Sequence, residues 1–325
     1  MRSEFDFIQN IKSKYGLSKV GDDCAVLPKD SKTDMVVTTD MLVEDIDFRL
    51  DWTTPELLGH KALAVSLSDV AAMGGEPKWA MLSMAVPENL WNGDFLDRFY
   101  AGWHRLARRS HVELVGGDIS RSPDKFVIDS IVGGEVPKGK AVLRSGALVG
   151  DAIAVTGHVG GSGGGLRLLE KGRRLESDLE PWEEVLLSIH LQPWPQNGVY
   201  LQQQGIVHSM IDISDGLASD MKHICDASKT GAKLYAEKIP MNLNLARLTD
   251  SIEEKLNLAL NGGEDFQLLF TIAHEKLSEL YAGLIGGNNY GLFTVIGEAT
   301  ANVGIIELVT EGEERVLEPE GYRHF

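Results

Sequence analysis

Acidic residues stand at the ends of short apolar runs in this chain. Asp40 closes MVVTTD, and Asp118 follows VELV through two glycines. Asp212 and Asp215 end MIDISD with Ser214 between them, and Asp22 and Asp23 precede CAVL. One such acid is ordinarily a turn or cap residue. Four placements divided between both halves of the chain point instead to convergence on a shared cationic ligand, because crowded carboxylates repel unless a cation neutralises them. Hard oxygen donors suit Mg²⁺, which keeps some water and is completed by substrate phosphates. No Cys/His set with zinc spacing competes. Asp69 sharpens the case, since it lies in ALAVSLSDVAAMGG, a segment apolar on nearly every helical face. An unpaired carboxylate buried there costs several kcal/mol, so a partner or a metal must compensate.

Two glycine-rich stretches carry less. GEVPKGKA (134–141) approaches the phosphate-loop pattern, but Ala141 replaces the hydroxyl residue and Pro137 interrupts the loop. The run Gly160–Gly165 lacks the dinucleotide spacing, because Leu166 stands where the third glycine belongs; it reads as a tight turn into a helix.

The elements that must position these acids follow from periodicity. Phe5, Ile8, Ile11 and Tyr15 predict a short helix ended by Gly16. Thr54, Pro55 and Gly74 bracket a second helix, and residues 92–110 a third. CAVL, MVVTT, WAMLSMAV, VELV and FVIDSIVG predict strands. The pattern restarts after a Pro/Gly/Lys-rich stretch near 137–150. It continues with the strand DAIAVTG, helices near 166–171 and within 181–204, the strand MIDIS and a helix over 216–228. AKLYAEKI, FQLLFTIA, LFTVIG and VGIIELV complete it as strands. This irregular alternation predicts an α/β protein of α+β type, with mixed sheets flanked by helices. The expected domains are 1–137 and 138–325.

Composition narrows the functional classes. Against 31 basic residues stand 48 acidic ones, a formal charge of −17 that disfavours a nucleic-acid partner. Two distant cysteines, Cys24 and Cys225, fit a reducing compartment better than a disulfide framework. The first residues lack a signal-type apolar core and no run is apolar enough to span a membrane, so a cytoplasmic location is expected.

Taken together, GDDCAVL, TTDMLVEDIDF, LGHKALAVSLSDVAAMGGEP, VGGDISR, LRSGALVGD, IDISDGLASDM, NGGEDFQLLF and the terminal GYRHF resemble the thiamine-monophosphate kinase family. That family lies in the superfamily typified by aminoimidazole ribonucleotide synthetase. The resemblance implies that superfamily's two-domain fold, an N-terminal ATP/Mg-binding and dimerisation domain, and a C-terminal domain completing the site. It implies a homodimer, and γ-phosphoryl transfer from ATP to thiamine monophosphate with several Mg²⁺ ions.

It also implies roles. Asp23, Thr38, Thr39, Asp40, Asp69, Asp118, Asp212 and Asp215 look like the magnesium shell. Tyr100, Gly117, Asp118, Arg144 and Ser214 look like ATP contacts. Glu264 and Tyr322 look like contacts to the thiamine portion, a carboxylate and an aromatic face suiting a cationic heterocycle. Asp47 stands where relatives often carry a histidine, and an acid there suits a cationic substrate. The resemblance implies direct in-line transfer with no catalytic residue separate from the metal shell. Competing readings are a synthetase of the same superfamily, a metal-dependent phosphohydrolase and a non-catalytic nucleotide sensor.

Overall fold

Buried and exposed residues alternate along Thr33–Val43, as the two-residue repeat of a strand demands. The computed structural model describes residues 4–286 and 293–322. Strands β1 (Ala25–Pro28), β2 (Thr33–Val43), β3 (Glu76–Pro87), β4 (Glu113–Ser122) and β5 (Val127–Pro137) form a five-stranded sheet in the order β1-β2-β5-β3-β4. Only β3 and β4 run parallel within it. Helices Pro55–Ala72 and Phe95–Arg109 cover one face, with Leu58, Leu63, Phe99 and Trp103 packed on Val36, Ala80, Ile128 and Val132. A Cβ on Gly59 would stand 1.9 Å from the Phe99 carbonyl oxygen, and one on Gly102 1.8 Å from that of Glu56. The two helices therefore touch backbone to backbone.

The second sheet has seven strands: β6 (Ala152–Thr156), β7 (Val207–Asp212), β8 (Gly231–Tyr235), β9 (Leu268–Ile272), β10 (Phe293–Thr300), β11 (Ile306–Thr310) and β12 (Glu313–Val316). Their order is β12-β11-β8-β10-β6-β9-β7, and only the β8–β11 pair is parallel. β6 and β9 are buried throughout, because alternate residues enter separate cores on the two faces. Ala71 and Ala72, at the end of the Pro55–Ala72 helix, belong to one of those cores. That helix is thus shared by both sheets, which explains why its sequence is apolar all round.

The structure revises several sequence expectations. The glycine run is not a turn before a helix but the opening turns of the helix Gly161–Glu170. Its lack of side chains lets the helix press on Pro181–Leu191: a Cβ on Gly165 would stand 2.3 Å from the Leu186 carbonyl oxygen. AKLYAEKI leaves the sheet at Tyr235 and turns through Ala236–Lys238. Residues 134–141 form the end of β5 and an irregular turn, with no helix following. Helices Ile252–Asn261 and Leu277–Gly286 were not foreseen. Leu292 and the last three residues of GYRHF lie outside the described residues.

Candidate active site

The carboxylate cluster forms where the Pro55–Ala72 helix passes between the two sheets. Thr38 and Asp40 project from β2 towards the helix, like Val36 and Leu42. From the helix, Ser66 Oγ donates to Asp40 Oδ2 at 2.7 Å and Ser68 Oγ to Asp212 Oδ2 at 2.6 Å. Thr38 Oγ1 donates to Asp69 Oδ2. Asp212 is the last residue of β7, and Asp23 lies just before β1. One oxygen from each of Asp23, Asp69 and Asp212 lies within 4.8 Å of the other two. The segment before β1, the Pro55–Ala72 helix and the end of β7 thus deliver acids to one point, with Asp40 of β2 close enough to act on Asp69.

The electrostatics record the crowding. Burial first, then neighbouring carboxylates, pushes Asp212 up to about 8 and Asp40 up to about 6. The same causes hold Asp69 well above the usual carboxylate range. Burial also raises Asp23, although Arg144 opposes it. Arg144 spans Asp22 and Asp23: its backbone N–H donates to Asp22 Oδ1 at 2.8 Å, and its Nε to Asp23 Oδ1 at 3.0 Å. The other oxygen, Asp23 Oδ2, is buried with no hydrogen-bond partner. A buried carboxylate oxygen without a donor, beside two more carboxylates, fits a hard divalent cation such as Mg²⁺.

A second group of residues shapes the loop after β7. Asp220, 1% exposed, accepts from the backbone N–H groups of Ser214, Asp215 and Gly216 at 3.1, 3.2 and 3.1 Å. Those bonds fix the loop so that Asp215 stays half-exposed near His223, 3.9 Å from its Nε2. The Ser214 carbonyl accepts from Glu264 N at 2.7 Å, and the Asp215 carbonyl from Tyr322 N at 3.2 Å. Glu264 and Tyr322 are thereby tied to the same loop. The Tyr322 phenol is raised by burial and then by the carboxylates of Asp47, Glu264 and Asp215. Asp47, held by a 2.8 Å bond from Val43 N, lines a narrow pocket with Trp52, Lys61 and His190. Asp47, Glu264 and Tyr322 therefore converge as a group.

Other expected residues stand apart. Thr39 is exposed on the opposite face of β2, where its hydroxyl donates to Asp129 at 2.7 Å. Asp118 is exposed on the edge strand β4, in a row with Ser83, Asp129 and Met41. β4 is three strand spacings from β2, about 14 Å. Beside Asp118, Gly117 meets the Leu82 carbonyl so closely that a Cβ would stand 2.0 Å from its oxygen. Tyr100 is 42% exposed and opens onto a groove of about 490 Å³ lined also by His104, Arg108 and His111. The groove reaches Glu113 and Leu114 at the start of β4, and Asp118 lies four residues further along that strand, so both stand outside the main acid cluster.

Sequence reasoning passed over Ser66, Ser68, Lys61, Asp220 and His190. The first three carried the same signal as Asp69, polar atoms inside an apolar helix. Asp220 and His190 carried none, because only tertiary contacts reveal what they touch.

Comparison with known proteins places this arrangement. The family described as AIR synthase related protein, N-terminal domain, matches residues 21–136, and its C-terminal domain matches residues 149–309. Curated thiamine-monophosphate kinases of Bacillus subtilis and Aquifex aeolicus are 36% and 34% identical to the chain. The first match covers 94% of this chain and 93% of the relative, the second 99% and 98%. The solved structure of AaThiL complexed with AMPPCP and TMP superposes with a TM-score of 0.86 at 34% identity, covering 99% of this chain and 97% of that one. The two matched domains define the class, the AIR synthase related proteins. Within it, the chain belongs to the thiamine-monophosphate kinase family.

Proposed function

We propose that this chain transfers the γ-phosphoryl group of ATP to thiamine monophosphate, giving thiamine diphosphate and ADP by direct in-line displacement. The observation that carries the reading is the meeting of Asp23, Asp69 and Asp212 within 4.8 Å, with the Asp47–Glu264–Tyr322 group on the adjoining loop. One site suits phosphates; the other suits a cationic ring system.

Donor and acceptor are both anionic, so charge repulsion is the main obstacle to transfer. Asp23, Asp40, Asp69 and Asp212 would hold Mg²⁺, which would supply counter-charge to the phosphates. Thr38, Ser66 and Ser68 orient those carboxylates through their hydroxyl bonds. Arg144 opposes the effect of burial on Asp23 and presents a fixed donor beside the phosphates. Asp220 holds the backbone of Ser214 and Asp215 in place. Tyr100 serves the nucleotide from the groove at the start of β4, Gly117 and Asp118 serve it from further along that strand, and Asp215 completes the cation shell, whereas Thr39 stands with Asp129 on the far side of β2. No general base is needed, because the acceptor phosphate is already substantially ionised at neutral pH.

The reading includes a homodimer formed through the open face of the first sheet. Met41 and Met81 are 61% and 38% exposed on that face, apolar side chains of the kind that become covered by association. It also divides the labour at 137/138, the first domain binding ATP and Mg²⁺ and the second completing the site. A cytoplasmic setting agrees with two buried, unpaired cysteines; no helix among the described residues is long and apolar enough to cross a membrane.

The test is ADP release and thiamine diphosphate formation, with and without thiamine monophosphate, across a Mg²⁺ titration. Both products depend on the acceptor and on Mg²⁺ if the reading holds. Phosphate release without acceptor would instead mark a phosphohydrolase, and ATP binding without turnover a sensor.

A further inference from the structure

Lys61 lies two helical turns before Ser68 on the Pro55–Ala72 helix, and its side chain is only 4% exposed. Its ammonium reaches both carboxylate oxygens of Glu264, at 2.8 and 2.9 Å. His190 approaches from another side, with Nδ1 3.2 Å from Glu264 Oε2 and 2.9 Å from Ser162 Oγ. The pair is asymmetric: the Glu264 side chain is 29% exposed while its cation is almost wholly covered. A pair serving only to neutralise a buried charge has no reason to leave the anion accessible. Here the anchor is inside and the carboxylate keeps an open side. Its backbone is equally constrained, at φ +54°, a left-handed conformation that few non-glycine residues adopt.

The helix supplies a second constraint. Lys61 and Ser68 are seven residues apart, so they project from the same face about 10 Å apart along the axis. Lys61 grips Glu264 and Ser68 grips Asp212, and both partners belong to the second domain. A single rigid element thereby sets the spacing between Glu264 and the acid cluster.

We propose that Lys61 is the positioning residue for acceptor recognition, fixing the Glu264 carboxylate two helical turns from the acid cluster to receive the cationic end of the acceptor while its phosphate meets the cluster. The proposal rests on the kinase reading given above. Charge supports it. Burial alone would raise Glu264, but Lys61 and then His190 outweigh it and hold the carboxyl below its usual range. His190 is itself pushed down to about 4, by burial and then by Lys61, so it is neutral at physiological pH and adds no second cation against the ligand. The other charged groups facing this region are Asp47, Asp215 and the neighbouring Asp265, together with Arg49, which lines the same pocket with its guanidinium over the Trp52 ring. Lys61, which touches both of its oxygens, is therefore the main group that holds the Glu264 carboxyl down.

The experiment compares Lys61→Met, Lys61→Arg, Glu264→Gln and the double variant Lys61→Met/Glu264→Gln, each checked for folding by circular dichroism. Lys61→Met is expected to raise the KM for thiamine monophosphate about tenfold or more, with the KM for ATP shifting less than about twofold. Its acceptor KM also climbs as pH falls from 8 to 6, because Glu264 without Lys61 takes up a proton; the wild-type value stays flat. Lys61→Arg gives an intermediate KM. On the Glu264→Gln background, Lys61→Met adds nothing, since its effect passes through that carboxylate. Should Lys61→Met fail to fold, Lys61→Arg carries the test, alone and with Glu264→Gln. Normal wild-type turnover with an unshifted acceptor KM in the variants, or with effects additive to Glu264→Gln, overturns this proposal alone. Wild-type protein without acceptor-dependent ADP release overturns the kinase reading, and this proposal with it.

Discussion

Ser68 of the first domain and Asp212 of the second are joined by a 2.6 Å hydrogen bond, both of them essentially without solvent contact. This bond ties the shared helix to the end of β7 at the centre of the acid cluster. Ser68→Ala removes the donor and leaves a buried carboxyl oxygen without it, at a cost of about 1–3 kcal/mol. Urea unfolding in Mg²⁺ should show that loss together with reduced turnover. An unchanged midpoint would mean that the two domains are held together elsewhere.

Without metal, the cluster should make the protein less stable as pH rises. Asp40 and Asp212 have folded values of about 6 and 8, above the ordinary carboxylate range. Between the unfolded value and these folded values the native state binds more protons than the unfolded chain, so stability falls with increasing pH. Below about pH 4 both states are protonated and the effect vanishes. Unfolding in EDTA at pH 5, 6.5 and 8 measures the slope, which Asp212→Asn should flatten. Added Mg²⁺ should restore stability most at pH 8. A slope unaffected by Asp212→Asn would contradict the assignment of strain to this cluster.

Asp118 separates function from stability. It is exposed on β4 and contributes no buried contact. Asp118→Asn should therefore change unfolding free energy by no more than about 0.5 kcal/mol. Turnover at limiting Mg²⁺ should fall at least about tenfold, as expected when a carboxylate that would hold the phosphates' Mg²⁺ is lost. Wild-type activity in this variant would remove Asp118 from the site.

Gly59 tests the helix crossing on which everything else stands. An added methyl would lie 1.9 Å from the Phe99 carbonyl oxygen, backbone that cannot step aside cheaply. Gly59→Ala should destabilise by about 1–3 kcal/mol or more through overpacking. A thermal melt within one degree of wild type would show that the helices are free to separate.

The open sheet face predicts self-association. Met81→Asp places a charge on that face beside Met41. Light scattering should report a dimer for the wild type and a monomer for the variant. A wild-type monomer at micromolar concentration would remove the dimer from the reading.

Much of this was legible before any coordinates. The strand-end acids, the apolar helix holding Asp69 and the Thr54 cap with Pro55 were read from residue type and period alone. The Thr54 side chain does accept from Leu57 N, as that reading requires. Local pattern failed where packing decided the outcome. Gly161, Gly164 and Gly165 are poor helix formers in isolation, yet contact with Pro181–Leu191 selects them for smallness and turns them into helix. The role of Lys61 is not readable locally, because its partner Glu264 lies 203 residues away.

The sequence by itself determined which residues are acidic, where strands and helices begin, and that the chain resembles a kinase family along nearly its whole length. Only the tertiary structure decided which acids meet. It gathered Asp23, Asp69 and Asp212, turned Thr39 to the far side of β2 and left Asp118 on the sheet edge. The reason is geometric. Period and propensity act over a few residues, whereas the direction and neighbours of a side chain depend on strand order and helix crossing, which long-range packing alone sets.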